Sequence, residues 1–451
     1  MSFNVLDESW ELRTIGDLVS AKEADIQTGP FGTMLQASSY AINGTPVIAV
    51  KDIGINKIIH GNSPLINDAD TERLSRYKLL QGDIIFGRKG AVDRRALVTV
   101  KEEGWIQGSD CIRIRFTSPK IDPIFVSYFL GTKFYINWIL SNAQGTTMSS
   151  LNQEILKRVP LPIPSIEEQR RIASVLQVID EKIELNNAIT KNLEEMAQVL
   201  FKRWFVDFEF PNENDEPYKS SGGEFEESEL GLIPKGWSIS LLEEFCYLST
   251  EGVKPYLSAD DVYEHYSIPA YDEGKMPVFE LGSEIKSNKY KVHRNSILVS
   301  KLNPETKRIW LPYCITENAV CSTEFMNYLP KDQDSFGFCY LIFNSESFNQ
   351  FLISNTTGST NSRQRAKPKA TLNYKIATGN RSLIRLFSRT VEAIYKQVSE
   401  FRLQNKKLAD TRDTLLPKLM SGELRVPLEK NYKFSVESSL AAESKAQYST
   451  T

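Results

Sequence analysis

Histidine is nearly missing from this chain: His60, His265 and His293 are the only three among 451 residues. None has a cysteine or carboxylate at a ligand-like spacing, and no Cys-x-x-Cys pair occurs, so the pattern of a zinc site is absent. Cysteine is sparse as well. Cys111, Cys246, Cys314, Cys321 and Cys339 are odd in number and scattered, which argues for reduced thiols in a cytoplasm and against a disulfide framework. No apolar run reaches the roughly eighteen residues that a membrane span needs, and the first residues lack a secretory-signal pattern. Charge of one sign is not in excess either: Lys and Arg number 54, Asp and Glu 57, for a net charge of −3. That total does not mark a nucleic-acid binder, so any DNA contact must rest on local basic patches.

Catalytic signatures are missing too. No GxGxxG loop follows a strand-like run and no GxxxxGK[ST] phosphate loop exists. The closest approach to the Asn/Asp-Pro-Pro-aromatic turn that holds a flipped adenine is Asn303-Pro304-Glu305, without the second proline or the aromatic residue. Dispersed acids such as Asp83 and Asp110 read as turn residues, not as nuclease metal ligands. These absences predict no catalytic residue, no metal ligand and no cofactor in this chain.

What is present is a chain with real cores and an internal repeat. Hydrophobic residues make up 41% of it, and its length suggests two to four domains. Tyr77-Lys78 precedes Gly82-Asp83-Ile84-Ile85-Phe86, and Tyr290-Lys291 precedes Asn295-Ser296-Ile297-Leu298-Val299, 213 positions later. Gly145-Thr146-Thr147 is matched by Gly358-Ser359-Thr360 at the same offset, and Pro234-Lys235-Gly236-Trp237 opens the second half much as Ser9-Trp10 opens the first. Recurrence in one order at a nearly constant offset signals duplication. Each half reads as mixed α+β. Thr45–Val50, Asp83–Phe86, Ala96–Val100 and Cys111–Phe116 are short β-type runs, and Ile121–Leu140 is a helical segment packed on them. In the second half Ile297–Val299 and Tyr340–Phe343 are read as the corresponding strands.

Long helices follow each half. Ser165-Ile166-Glu167-Glu168 has the capping-box form. Beyond it Ile172, Ile179, Asn186, Leu193 and Leu200 recur every seven residues, with Leu176, Ile183, Thr190 and Ala197 four residues after each of the first four. In the second half Phe387, Ile394, Phe401, Leu408 and Leu415 form one column and Val391, Val398, Asn405 and Arg412 the other. Pro417 is expected to break this run, with Gly422 as a stop signal. Two such seams should pair with each other, because helices of about 36–40 residues span about 55–60 Å, more than a small domain covers. Asn186 and Asn405 are placed to fix the register.

Three basic patches punctuate the halves. Phe86-Gly87-Arg88-Lys89-Gly90 with Arg94 and Arg95 forms a glycine-bearing turn after a strand. Lys301 with Lys307 and Arg308 occupies the equivalent place in the second half. Arg363-Gln364-Arg365-Ala366-Lys367-Pro368-Lys369 carries four cations and no acid. Arginine suits guanine, and glutamine or asparagine suits adenine, as hydrogen-bonding partners in the major groove. Thr146 and Thr147 lie in a polar loop suited to phosphate contacts. By contrast, 206–229 holds nine acidic residues against Lys219 alone. It is expected to be a solvated connector.

Several strings together resemble the specificity subunits of type I restriction–modification systems over roughly residues 10–426. Thr28-Gly29-Pro30-Phe31-Gly32-Thr33, Gly44-Thr45-Pro46-Val47-Ile48 and Lys51-Asp52-Ile53 resemble the start of a target recognition domain. Gly145-Thr146-Thr147 through Leu151-Asn152, Val159-Pro160-Leu161-Pro162-Ile163-Pro164 and Glu168-Gln169-Arg170-Arg171-Ile172 resemble the junction into the first spacer helix. Leu416-Pro417-Lys418-Leu419-Met420-Ser421-Gly422-Glu423-Leu424 resembles the close of the second. The second half departs from the pattern at its junction, with Ala377-Thr378-Gly379-Asn380 and no Glu-Gln pair.

The resemblance implies an α+β chain in which two mixed α/β target recognition domains flank an antiparallel two-helix coiled-coil spacer with pseudo-twofold symmetry. The implied segments are 1–164 (first domain), 165–205 (first spacer helix), 206–229 (acidic connector), 230–380 (second domain), 381–426 (second spacer helix) and 427–451 (disordered tail). It further implies a non-catalytic, cytoplasmic reader of double-stranded DNA, each domain reading half of a bipartite site. Its implied partners are two modification subunits that carry S-adenosylmethionine and two ATP-dependent restriction subunits, with no membrane. Two alternatives stand beside this reading: a specificity subunit of a related phage-defence methylation system, and a twin-domain scaffold that grips proteins.

Overall fold

The computed structural model describes residues 7, 9–31, 34–61, 63–90, 92–143, 150–357 and 364–427. The chain divides into two units, Met1–Ile183 with Lys406–Thr451, and Glu184–Asn405. Each contains one mixed domain and a part of both long helices, Ile166–Phe205 and Arg381–Ser421.

In the first unit an antiparallel sheet runs in the order Ala24–Thr28, Cys111–Phe116, Ile84–Gly87, Arg95–Leu97. Successive strand residues point to opposite faces. Ile84, Phe86, Ile112 and Ile114 therefore share one face, in a core with Phe125, Phe129, Tyr135 and Ile139 from the helices Pro123–Phe129 and Lys133–Asn142. Ile85, Ala96 and Cys111 take the other face and pack with Ile48, Ile53, Leu79 and Val98. Burial on both faces explains why Ile84-Ile85-Phe86 reads as an unbroken apolar run. The helical segment expected over 121–140 is two helices. The second restarts at Thr132, whose hydroxyl accepts from the Tyr135 N–H at 3.3 Å.

The second unit repeats this sheet in the same order: Cys246–Ser249, Phe325–Pro330, Ile297–Ser300, Ile309–Trp310. Ile297 lies 213 positions after Ile84, and the helices Phe336–Asn344 and Glu346–Ser354 begin 213 after Pro123 and Lys133. The same sheet order, with three of its four strands and both helices at offsets of 213 or 214, is what a duplicated domain produces. The second sheets differ: Tyr40–Ala41, Leu65–Ile66, Thr45–Ile48, Ile106–Gln107 in the first unit, and five strands, from Gly252–Val253 to the edge strand Val278–Leu281, in the other.

Two expectations fail here. Tyr340–Phe343 is helical, inside Phe336–Asn344, and the true counterpart of Cys111–Phe116 is Phe325–Pro330. A helix buried on all sides, as Gly337–Phe343 is, has no polar stripe, so its short apolar run is indistinguishable from a strand by periodicity. The acidic stretch 206–229 is also folded and not merely a solvated connector. Phe208 and Phe210 both pack on Trp237, at centroid distances of 5.5 and 4.9 Å, and Phe210 stacks on Tyr218 at 4.7 Å. Phe225–Ser228 pairs with Gly231–Pro234. Acids alternate with rings along Asp207-Phe208-Glu209-Phe210, so the charges remain accessible while the aromatics cluster.

Both long helices are entered from a two-stranded ribbon, Glu11–Thr14 with Pro160–Ile163 and Ser238–Leu241 with Lys375–Thr378. Gln169 anchors the first junction, donating to the Lys120 and Pro164 carbonyls at 2.9 and 2.8 Å and accepting from the Asp122 N–H. The second junction manages without it, because the Asn380 side chain caps the Leu383 N–H at 2.9 Å.

Within each unit the two helices run antiparallel. In the first, Ile172 and Leu176 share a core with Leu415, Leu419 and Met420, and Asp180 binds Arg412 at 2.7 Å and the Tyr128 hydroxyl at 2.7 Å. Ile179, Ile183 and Leu408 are half-buried. In the second, Asn186 donates to Gln404 and Asn405, both at 2.8 Å, Asn405 donates to Asn187, and Glu194 binds Arg402 at 2.6 Å. Leu193, Leu200 and Ile394 pack there against Ala197, Phe201, Phe387, Val391 and Val398, and Phe401 is half-buried. Pro417 does not break the second helix, which continues to Ser421. Pro417 and Asp413 are both exposed, so the carbonyl freed by the missing N–H faces water. The stop comes at Gly422, with φ +77°.

Candidate nucleic-acid interface

The basic turn of the first unit grows from the end of the sheet strand Ile84–Gly87. The Arg88 N–H donates to the Asp110 carbonyl and the Arg88 carbonyl accepts from the Leu151 N–H, each at 2.8 Å, while Lys89 bridges to Ser150. The turn is thereby pinned to the chain on both sides. The Arg88 guanidinium lies 5.3 Å from the ring centre of Phe31, a residue 59% exposed. Stacking of this kind stabilises by about 0.5–1 kcal/mol at an exposed site and leaves the guanidinium edge free to donate. Phe31 is brought there by a close backbone approach. A Cβ on Gly29 would fall 1.9 Å from the Gly108 carbonyl oxygen, so only glycine fits. Lys89 and Arg94 are exposed, and the Lys89 ammonium sits 3.7 Å from the Asp110 carboxylate.

The second unit builds the same junction. The Lys301 N–H donates to the Glu324 carbonyl at 3.0 Å, and the Lys301 carbonyl accepts from the Ala366 N–H at 2.9 Å. Leu302 bridges to Arg365, and the Asn303 N–H donates to the Gln364 carbonyl at 2.9 Å. Two patches that are far apart in sequence, around Lys301 and around Arg365, are thus one surface. The Arg365 guanidinium is held by Glu324 through two bonds of 3.0 and 3.1 Å. Lys367 is exposed beside it and Lys301 is half-buried.

Other cations expected at the interface serve the fold. Arg95 is 3% exposed, donates from Nε to the Ser127 carbonyl at 2.6 Å, and lies among Tyr128 and Tyr135; burial pushes its guanidinium down to about 10. Adjacent residues entering a strand point to opposite sides, so Arg94 and Arg95 do not both face out. Lys307 donates to the Asn344 carbonyl at the end of a helix, and burial lowers its pKa. Arg308 grips Asp272 at 2.7 and 2.9 Å with its side chain only 13% exposed. Thr146, Thr147 and Arg363 lie outside the described residues.

Other ionisable groups singled out in the sequence are held in structural pairs. Asp83 is buried in a two-bond pair with Arg115, each bond 2.7 Å, and the three histidines face Glu102, Glu280 and Glu251. All five cysteines are free and buried. Among the described residues no group of three or more His, Cys, Asp or Glu is arranged to hold a metal, and no helix is long and apolar enough to cross a membrane. Sequence reasoning missed Phe31, Asp110 and Glu324 as members of the surface. The two acids stand 214 residues apart, one more than the offset of the basic turns, so a search at about that spacing pairs them.

Residues 7–195 match the family described as the type I restriction modification DNA specificity domain. The chain is 22% identical over 446 residues to the type I restriction enzyme HindI specificity subunit of Haemophilus influenzae, covering 83% of this chain and 93% of that protein. Over most of its length the chain is thus similar to type I restriction enzyme specificity subunits. It is also 26% identical over 319 residues to the MjaIX specificity subunit of Methanocaldococcus jannaschii, covering 67% of this chain and 69% of that one. A crystal structure of a type I restriction-modification system S subunit from M. genitalium shares the fold, with a TM-score of 0.57 and 15% identity over 92% of this chain and 96% of that one. A duplicated domain accounts for why the same basic junction occurs twice.

Proposed function

We propose that this chain is the non-catalytic DNA-reading subunit of a type I complex, acting in the cytoplasm on double-stranded DNA with a bipartite site. The junction around Arg88–Lys89 faces one half-site and the junction around Lys301, Arg365 and Lys367 faces the other. The paired long helices set the unread gap. Two modification subunits dock on the chain and bring S-adenosylmethionine and the methyl-transfer chemistry, and two restriction subunits complete the cleaving complex. One observation carries this reading: both units end the equivalent sheet strand in a cation-bearing turn, tied to the chain by the same pair of backbone hydrogen bonds.

Arg88 and Lys89 separate two kinds of contact. Arg88 is fixed over Phe31, which suits it to a base edge, and Arg88→Ala should cost about 1–3 kcal/mol at one position of one half-site. Lys89 carries a compact point charge on a long stem, suited to phosphate. Lys89→Ala should weaken all sequences alike and reduce the magnitude of the salt slope by about 0.9. Binding titrations at several salt concentrations, with methylated-site mapping, read both effects. Unchanged affinity and unchanged sites in both variants would remove this turn from the interface.

A further inference from the structure

Each proposed DNA-facing surface contains one carboxylate at the equivalent backbone position, and electrostatics makes that an unexpected residue to find there. Asp110 and Glu324 each sit immediately before the first residue of matching sheet strands, Cys111–Phe116 and Phe325–Pro330. Each offers its carbonyl to the N–H of the basic turn, Arg88 in one unit and Lys301 in the other. Each also holds a cation of the surface, but not the same one. Asp110 pairs with Lys89 of the turn itself, whereas Glu324 pairs with Arg365 of the facing segment. The shared feature is therefore an acid holding a cation, supplied in each case by whichever segment lies within reach.

The pairs do little for stability. Lys89 and Asp110 are 55% and 54% exposed and Arg365 is 47% exposed, and solvent-exposed ion pairs are worth little. Their effect on DNA binding is larger. A phosphate that takes the cation must displace a carboxylate and then lie beside its uncompensated negative charge. A matched duplex, positioned by the base-reading groups, can place its phosphate where the cation bridges it and the carboxylate, so the cost falls mainly on unmatched duplexes.

We propose that Asp110 and Glu324 are specificity-setting residues, each restraining a surface cation so that unmatched DNA is bound weakly. This rests on the function proposed above. The pairs suppress sequence-independent phosphate binding, one in each half, and leave base readout to their neighbours.

The test uses the full chain with its modification subunits and two probes: a duplex of random sequence and one carrying the methylated site. Asp110→Asn and Glu324→Gln should each bind the random duplex about three- to tenfold more tightly, with a salt slope steeper by about 0.9 for each additional phosphate neutralised. Affinity for the matched duplex should rise less, so discrimination falls. Degenerate sites should appear in one half only, a different half for each variant. Asp110→Glu and Glu324→Asp should restore discrimination. Glu103→Gln, which removes an exposed acid away from the turn, controls for net charge and should leave site choice unchanged. Unaltered melting temperatures show that the variants fold. The inference is overturned if both variants bind the random duplex like the wild type, or if Glu103→Gln has the same effect. It is equally overturned if the variants lose matched affinity with a changed base at one position, since the carboxylates would then be reading a base amino group directly. A wild-type complex whose binding shows no salt dependence would remove the functional reading itself, a result distinct from all of these.

Discussion

Adding one heptad to both long helices, after Ile183 and before Lys406, is expected to lengthen the unread gap in the methylated site by about three base pairs. Seven residues add about 10 Å of helix, and base pairs stack at about 3.4 Å. Asp180 meets Arg412 on one side of the insertion points, and Asn186 meets Gln404 and Asn405 on the other, so a whole heptad in each helix keeps both sets of partners in register. Three base pairs also turn the duplex by about 100°, so a large loss of affinity is expected alongside. The half-site bases should not change, because the base-facing groups belong to the domains. Methylated-site mapping in cells carrying the variant reads the outcome. An active variant with the original gap would contradict the role given to the helices, as would altered half-site bases.

Arg95→Ala is expected to destabilise the first unit by about 3–4 kcal/mol, combining a cavity with an unsatisfied Ser127 carbonyl. The side chain is 3% exposed and its bond to Ser127 is 2.6 Å. The helix break at Gly131 is built around it: a Cβ there would fall 2.2 Å from the guanidinium. Arg88→Ala, seven residues earlier and at the surface, should change stability by only about 0.5 kcal/mol or less. Urea denaturation of the two variants separates these cases. The assignment of Arg95 to the core fails if its loss leaves the unfolding midpoint unchanged and weakens only DNA binding.

These two cases show how far the residues alone could be read. The duplication is legible because an offset of 213 or 214 recurs in three of the four equivalent strands and in both short helices, and the long helices because a seven-residue period runs from Ile172 to Leu200 and from Phe387 to Leu415. Short-range pattern was less informative wherever burial is complete on every side. Tyr340–Phe343 has no polar face to betray a helix, and Arg95 carries a charge into a site that composition assigns to the surface. Pro417 is tolerated inside its helix because the cost of a missing hydrogen bond depends on whether water can replace it, which sequence does not state. The acidic stretch was misread by counting charges and overlooking the rings spaced between them. At the interface, the cations were visible but their partners were not. Only the fold brings Glu324 to Arg365 and Phe31 to Arg88, and pairing decides which cations are available to DNA.

The central claim is that this chain alone sets which DNA sequence its complex marks, with one half-site read by each unit. Mapping methylated adenines genome-wide, in cells expressing the complete system with the wild-type chain and with Arg88→Ala, tests it most directly. The expected result is one bipartite motif with a constant unspecified gap in the first case, and in the second the same gap and one intact half, with a base relaxed in the other. A contiguous motif, or a motif that does not depend on this chain, would contradict it.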